Sequence, residues 1–190
     1  MNPMLEPVVL RPALMRDIPP LLGIINGYAA KGIMLPRTEF EMSEYIRDFV
    51  VVYSGERLLG CGALHFYTPF SAEVRSLAVD PGAKSRGIGR RIVETLEDEA
   101  RAHGLDSIFA FTYVRGFFER LGFSEVDRGE LPLKAWKDCL RCPKFQCCDE
   151  IPMLKRFNLE EGGKRAALSP PFRVLPAGMD SPRLPVRKGV

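Results

Sequence analysis

The sequence predicts a mixed α/β fold, a twisted sheet with helices packed on it. Three observations carry this. Segments with the two-residue alternation of strands interleave with segments of helical period along residues 8–157. Residues 50–53 and 58–67 flank Ser54-Gly55-Glu56, the pattern of a β-hairpin. Residues 72–79 run through Asp80-Pro81-Gly82 into a basic, glycine-spaced loop and then into a strongly amphipathic helix.

Residues 8–11 read as a short first strand. Asp17 precedes Ile18-Pro19-Pro20, and proline is tolerated in a first helical turn, so a helix runs from there to about Ala30. Thr38 and Glu41 have capping-box spacing and open a second helix, expected to reach about Phe49. In the second strand of the hairpin, the two-residue period puts Leu59, Cys61, Ala63, His65 and Tyr67 on one face. Residues 72–79 form the next strand. Residues 87–103 form the long helix, with Ile88, Ile92, Val93, Leu96 and Ala100 as its buried stripe and Gly104 as its stop. A compact apolar strand follows at 107–112, then a short helix at 116–121 ended by Gly122, a second short helix at 133–140 after Pro132, and a closing strand at 153–157. From Asn158 onward Pro170, Pro171, Pro176, Pro182 and Pro185 stand among glycines and arginines with no hydrophobic period. The expected organisation is one domain over residues 1–157 and a flexible Pro/Gly-rich tail over 158–190.

A chain of 190 residues is long enough for one domain with a proper core. Its net charge of +3 is small and spread out, which gives no argument for a nucleic-acid partner. The first eleven residues are broken by Pro3 and Pro7 and carry Glu6, unlike a signal peptide. No run approaches the length of a membrane span. A cytoplasmic enzyme is expected, with its five cysteines reduced or metal-bound rather than joined in disulfides.

The basic loop Lys84-Ser85-Arg86-Gly87-Ile88-Gly89-Arg90 sits at the N-terminus of the long helix. The first N–H groups of a helix lack intrahelical partners, and the macrodipole there is positive. Two glycines let the backbone approach a phosphate closely, and the lysine and arginines suit a diphosphate. A Walker A loop needs a Gly-Lys-Ser/Thr ending, which is absent. A Rossmann fingerprint needs a third glycine, where Ile92 and Val93 follow instead. The plainer alternative is a glycine-capped helix whose arginines are solvated charge.

The segment resembles motif A of the GCN5-related N-acetyltransferases (GNAT): a strand ending in Val-x-Pro, then Arg/Gln-x-x-Gly-x-Gly/Ala, then a helix. Lys84 fills the Arg/Gln slot. The family's second block is matched by Phe117-Phe118-Glu119-Arg120-Leu121-Gly122-Phe123, in the right order and spacing. The resemblance implies the GNAT fold, a mixed, mostly antiparallel twisted sheet flanked by helices, and acetyl-CoA as cosubstrate. It further implies that the strand before motif A splays from its neighbour to admit pantetheine. Leu77, Ala78 and Val79 would then offer main-chain groups to the donor, while Lys84, Ser85, Arg86, Gly87, Ile88, Gly89 and Arg90 wrap the diphosphate. A backbone N–H near Leu77 would stabilise the oxyanion.

Within that superfamily the chain is similar to the acetyltransferase domain of N-acetylglutamate synthases, without any amino-acid-kinase domain. The likeness rests on Leu35 and Arg37 before the second helix, Glu73 opening the central strand, Leu131-Pro132-Leu133-Lys134, and Arg141-Cys142-Pro143-Lys144. It implies that Leu35, Arg37, Arg141 and Lys144 hold the acceptor, L-glutamate, in arginine biosynthesis. The chemistry agrees, because a dicarboxylate needs two cationic anchors and guanidinium binds carboxylate in two-pronged fashion. Pro143 departs from the small hydroxyl residue usual there. An amine at a protein N-terminus or on another small metabolite is the alternative acceptor. No nucleic-acid or membrane partner is expected, and a homodimer is left open.

Glu73 is the candidate general base for the acceptor amine, with a strand-edge salt bridge to Arg75 as its plainer role. His65 on the adjacent strand is the second candidate. Phe118 occupies the slot where many relatives carry a tyrosine that protonates the departing thiolate. Either Tyr113 supplies that proton or the thiolate leaves into a solvated site. Cys139, Cys142, Cys147 and Cys148 are candidate metal ligands, or else reduced thiols on a loop over the acceptor site. A metal-held interaction module without catalysis is the rival reading from another class, and it leaves the glycine loop unexplained.

Overall fold

The computed structural model describes residues 7–132 and 139–157. Its centre is the expected hairpin. β2 (Phe49–Ser54) and β3 (Arg57–Thr68) join through a two-residue turn in which Gly55 takes φ +56°, a left-handed conformation that costs glycine little. β1 (Val8–Pro12) pairs antiparallel with β2, and β4 (Ser71–Val79) pairs antiparallel with β3. β5 (Ser107–Thr112) lies parallel to β4, and β7 (Ile151–Arg156) runs antiparallel between β5 and the two-residue β6 (Ser124–Glu125). The order is β1-β2-β3-β4-β5-β7-β6, and among the described residues β4/β5 is the one parallel pair. A mixed, mostly antiparallel sheet flanked by helices is what the sequence led us to expect.

The two faces of the sheet carry different helices. α1 (Ile18–Ala29) and α2 (Glu39–Tyr45) bury Leu21, Ile25 and Met42 against Val51, Cys61, Ala63 and Ala78. α3 (Ile88–Ala102) buries Ile88, Ile92, Val93, Leu96 and Ala100 on the opposite face, against Val50, Leu64, Ala72 and Val74. α4 (Arg115–Glu119) adds Phe118 to that second core, and Gly104 follows α3 at φ +73°. The capping box at α2 forms in full: Glu41 N donates to Thr38 Oγ1, and Thr38 N donates to the Glu41 carboxylate.

Several boundaries differ from the sequence reading. The second helix stops at Tyr45. Residues Ile46–Asp48 tighten into a 3-10 turn, and Phe49 already belongs to β2. The short helix is Arg115–Glu119, and the closing strand starts at Ile151. Leu59 does not share a face with Cys61 and Ala63: it packs in the α3 core while they pack under α1. The cause is a β-bulge. Val52 lies opposite Gly60 and Tyr53 opposite Leu58, so Leu59 is an extra residue and the alternation changes phase there. The expected helix at 133–140 falls mostly outside the described residues, which take in only its end, at the 3-10 turn Cys139–Arg141. The expected tail at 158–190 lies outside them altogether.

Candidate active site

β4 and β5 pair only at Ser71↔Ser107, Ala72↔Ile108 and Glu73↔Phe109. Beyond that rung no β4/β5 pairing continues, although β4 extends to Val79 and β5 to Thr112. The predicted donor residues Leu77, Ala78 and Val79 all lie on this unpaired stretch. A second bulge shapes it. Ala63 lies opposite Arg75 and Cys61 opposite Ala78, so β4 carries one residue more than β3, and Ser76 takes φ +51°. The bulge turns Leu77 and Val79 toward the α3 core and Ala78 toward α1. A non-glycine residue at positive φ is uncommon and marks a backbone held by its surroundings. Nothing in the strand's alternation announces it.

The basic loop follows directly. Asp80 Oδ1 accepts from Gly82 N at 2.8 Å and from Arg57 Nη2 at 2.7 Å, which fixes the turn Pro81–Ala83. Ser85 and Gly87 then take φ +63° and +75°. Gly87 caps α3 without any side-chain hydrogen bond, and no acidic residue sits in the first turn. The first helical bond is Arg91 N to Gly87 O at 3.0 Å. The N–H groups of Ile88, Gly89 and Arg90 therefore precede the helical ladder and are available to an anion. The Ile88 side chain is core, so only its backbone faces the loop side. A Cβ at Gly89 would lie in ordinary contact, 3.4 Å from the Phe117 ring and 3.5 Å from Val79. Arg90 pairs with Glu94 at 2.7 Å, both exposed.

On the α1/α2 face, next to the point where the strands part, a polar cluster is enclosed by aromatic rings. Glu73 is 1% exposed, with His65 directly across on β3. His65 Nδ1 lies 2.7 Å from Asp48 Oδ2, and Arg75 Nη2 lies 3.6 Å from the same oxygen. The His65 ring meets Tyr45 and Tyr67 edge-on at 5.4 and 5.0 Å, and the Arg75 guanidinium sits 5.1 Å from the Tyr45 ring centre. Sequence reading named Glu73 and His65 but missed Asp48 and the two tyrosines. Asp48 is 17 residues from His65 in the chain, and no local pattern links them.

The four residues expected from the sequence to hold the acceptor lie in two separate segments. Leu35 and Arg37 lie in the arm between α1 and α2, immediately before the Thr38 cap. Arg141 closes the 3-10 turn Cys139–Arg141, and its side chain is outside what is described. Lys144 Nζ donates to Asp149 Oδ2 at 2.9 Å and to Tyr113 Oη at 3.1 Å, and Tyr113 Oη donates to Asp149 Oδ1 at 2.9 Å. The Asp149 carboxylate holds the Lys144 ammonium well above its usual range, and Lys144 lowers that of Asp149. Burial pushes the Tyr113 phenol up, so it stays protonated at neutral pH. Lys144 is thus paired with an exposed carboxylate of its own chain. Phe118 packs edge-on between Phe117 and Phe123, at 5.1 Å from each, and contributes no polar group. Cys139, Cys142, Cys147 and Cys148 are not joined in disulfides, and among the described residues no group of three His, Cys, Asp or Glu side chains could hold a metal ion. None of the described helices is long and apolar enough to cross a membrane.

Comparison with known proteins decides the family. The model of the Acetyltransferase (GNAT) family matches residues 28–123. The chain belongs to this family. An uncharacterized N-acetyltransferase of Chlorobaculum tepidum is 42% identical over 146 residues, 77% of this chain and 94% of that protein. The amino-acid acetyltransferase of Mycobacterium tuberculosis is 34% identical over 122 residues, 63% of this chain and 70% of that protein. The crystal structure of N-acetylglutamate synthase from Neisseria gonorrhoeae, complexed with coenzyme A and N-acetyl-glutamate, matches at a TM-score of 0.73 and 27% identity. That match covers 80% of this chain but 35% of the synthase, so the chain spans about a third of that larger protein. This GNAT protein is an N-acetyltransferase, and acetyl-CoA is its cosubstrate. The gap beside β4 and the amides at the head of α3 fit that donor.

Proposed function

We propose that this GNAT enzyme acetylates the α-amine of a free amino acid, with L-glutamate as acceptor and arginine biosynthesis as its setting. The observation that carries the reading is the parting of β4 from β5 immediately beyond Glu73, with the Arg37 arm on the same face of the sheet as Glu73. The relatives named as amino-acid acetyltransferases and the synthase solved with N-acetyl-glutamate support it.

In this reading residues 1–157 are the acetyltransferase domain. The pantetheine arm lies in the gap along Leu77, Ala78 and Val79. Lys84, Ser85, Arg86, Gly87, Ile88, Gly89 and Arg90 hold the diphosphate through first-turn amides and cationic side chains. Arg37, Leu35 and Arg141 hold the acceptor, and a dicarboxylate occupies two guanidinium groups where a monocarboxylate leaves one idle.

The amine lone pair attacks the thioester carbonyl carbon. An N–H at the Ser76–Leu77 bulge, freed from the β3 ladder, stabilises the oxyanion. Glu73 takes the ammonium proton directly or through one water, because an α-amine is mostly protonated at neutral pH. Collapse of the tetrahedral intermediate breaks the C–S bond, and the CoA thiolate leaves. Tyr113 follows β5, and Lys144 Nζ donates to its Oη at 3.1 Å, a cation beside the phenolate that remains once the proton passes to that sulfur, which makes Tyr113 the candidate donor. Lys144 acts through Tyr113 and Asp149, anchoring the segment around Arg141 rather than the acceptor itself.

The test is CoA release from acetyl-CoA, measured across the free amino acids and a few peptides. L-glutamate turning over far faster than glutamine, and Arg37→Ala abolishing that preference, is the expected result. Preferred turnover of a peptide N-terminus would overturn it.

A further inference from the structure

Two polar side chains near the C-terminal end of α1 fasten the elements on which both substrates depend, and no motif marks either one. Asn26 clamps the backbone of Arg37 at two points. Its Nδ2 donates to Arg37 O at 2.9 Å, and Arg37 N donates to its Oδ1 at 2.8 Å. A primary amide offers a donor and an acceptor side by side, so it pairs with one residue's main chain much as a neighbouring strand would. The Arg37 arm therefore has a fixed height on α1, although its own segment is irregular.

Tyr28 lies two residues further on, and its Oη donates to Val79 O at 2.6 Å. Asp80 N donates to Leu59 O on β3 at 2.8 Å. The Val79–Asp80 peptide bond is trans, so Val79 O points away from β3, toward the open side of β4. Tyr28 thus holds the last carbonyl of the donor strand at the mouth of the gap. The same ring has Lys84 Nζ and Lys31 Nζ each 5.6 Å from its centre, a cation–π distance. Lys84 is the first cation of the diphosphate loop. Tyr28 O accepts from Lys31 N at 3.0 Å and from Ile33 N at 3.3 Å, which turns the chain from α1 into the arm that carries Leu35 and Arg37.

We infer that Asn26 and Tyr28 are positioning residues that register the acceptor arm and the donor strand against one frame, the end of α1. Asn26 sets Arg37; Tyr28 sets the end of β4 and the approach of Lys84. The reacting amine and thioester must meet within about 3–3.5 Å, so a frame common to both binding elements fixes that approach. The inference rests on reading Arg37 as the acceptor anchor and the β4 gap as the donor site.

The test uses the full chain and two variants with separate signatures. Tyr28→Phe keeps the ring and removes the hydroxyl. It should weaken CoA binding by roughly five- to tenfold in calorimetry, the scale of one lost hydrogen bond, and leave hydrogen exchange over residues 33–40 unchanged. Asn26→Ala should accelerate exchange at the Arg37 amide and leave CoA affinity within about twofold. With L-glutamate as probe, Tyr28→Phe raises KM for acetyl-CoA and Asn26→Ala raises KM for glutamate, and kcat falls in both because the amine and the thioester lose their common register. If the wild-type protein turns over no glutamate, the acceptor reading fails, while the exchange and calorimetry arms still decide this one. Wild-type CoA affinity in Tyr28→Phe, an unchanged Arg37 amide in Asn26→Ala, or both variants moving both readouts together would each overturn it.

Discussion

Glu73 lies directly opposite Phe109 in the last rung that joins β4 to β5, and pairing stops immediately beyond it. The carboxylate is 1% exposed, and its strand leads within three residues to the Ser76 bulge. A proton acceptor at the closed end of the donor gap is within the same few residues as the backbone that would hold the oxyanion. That proximity is the ground for putting Glu73 to the test as the base, against a carboxylate that merely satisfies the sheet.

Glu73→Gln keeps the shape and removes the proton acceptor. We expect kcat to fall by about 10²–10³, within the usual range for a lost general base. CoA affinity by calorimetry and the melting temperature should stay close to wild type. Unchanged kcat would hand the role to His65, whose variant His65→Gln would then show the loss.

Gly87→Asp places a carboxylate where the diphosphate should bind, and CoA affinity should drop beyond detection. Backbone strain complicates this substitution, because Gly87 takes φ +75°. Gly87→Asn is the control: it has the same shape and the same tolerance of the left-handed region but no charge. Asn binding CoA at least tenfold more tightly than Asp, with both proteins equally folded by circular dichroism, would mark an electrostatic effect at an anion site. Equal affinities would deny it.

Asp17 gives a pH-dependent stability term unrelated to catalysis. Its carboxylate accepts from Arg11 at 2.7 and 2.9 Å and from Leu14 N at 2.7 Å. The Arg11 guanidinium is the main cause that lowers its pKa from 3.8 to about 2. The folded value lies below the unfolded one, so this stabilisation is complete above the unfolded pKa and is lost as the pH falls through the folded one. Linkage puts it at about 2 kcal/mol near neutrality. Urea unfolding of wild type and Asp17→Asn at pH 7, 4 and 2 should show a gap that is widest at pH 7 and closes toward pH 2. A gap independent of pH would assign the effect to packing.

The elements of the fold were legible wherever one face of a segment is buried. The α3 stripe, the hairpin around Gly55 and the Thr38 capping box all follow from local spacing, and each appears where spacing puts it. The bulges at Leu59 and Ser76 were not legible. A single extra residue in a strand resets the two-residue alternation, and nothing in the composition of Leu58-Leu59 or Arg75-Ser76 signals the reset. β6 is two residues long, below what any period can reveal. The place of the basic loop at the head of α3 was readable because its glycines and cations are consecutive residues. The pairs Asp48–His65, Asn26–Arg37 and Tyr28–Val79 were not, because they join segments 11 to 51 residues apart and exist only once the sheet has formed.

Gly60 and Gly62 test how closely α3 must lie on the sheet. Both sit on the face of β3 beneath that helix. A Cβ at Gly62 would come within 2.6 Å of Ile92 Cγ2 and 3.4 Å of Leu77 Cδ1, and one at Gly60 would lie 2.9 Å from Ala78 O. Gly62→Ala must push the N-terminal half of α3 away from β3 or force Ile92 off its rotamer. Overpacking of this kind costs about 1–3 kcal/mol. Ile92 is one turn from the loop amides and Leu77 lies on the donor strand, so the same displacement should weaken CoA binding, which a change confined to the core would not do. Denaturant unfolding and CoA calorimetry on one preparation separate the two. Lower stability with wild-type CoA affinity would mean that the head of α3 keeps its place while the helix yields further along. Loss of both would mean that the close approach at Gly62 sets the distance between the diphosphate cradle and the strand beside it.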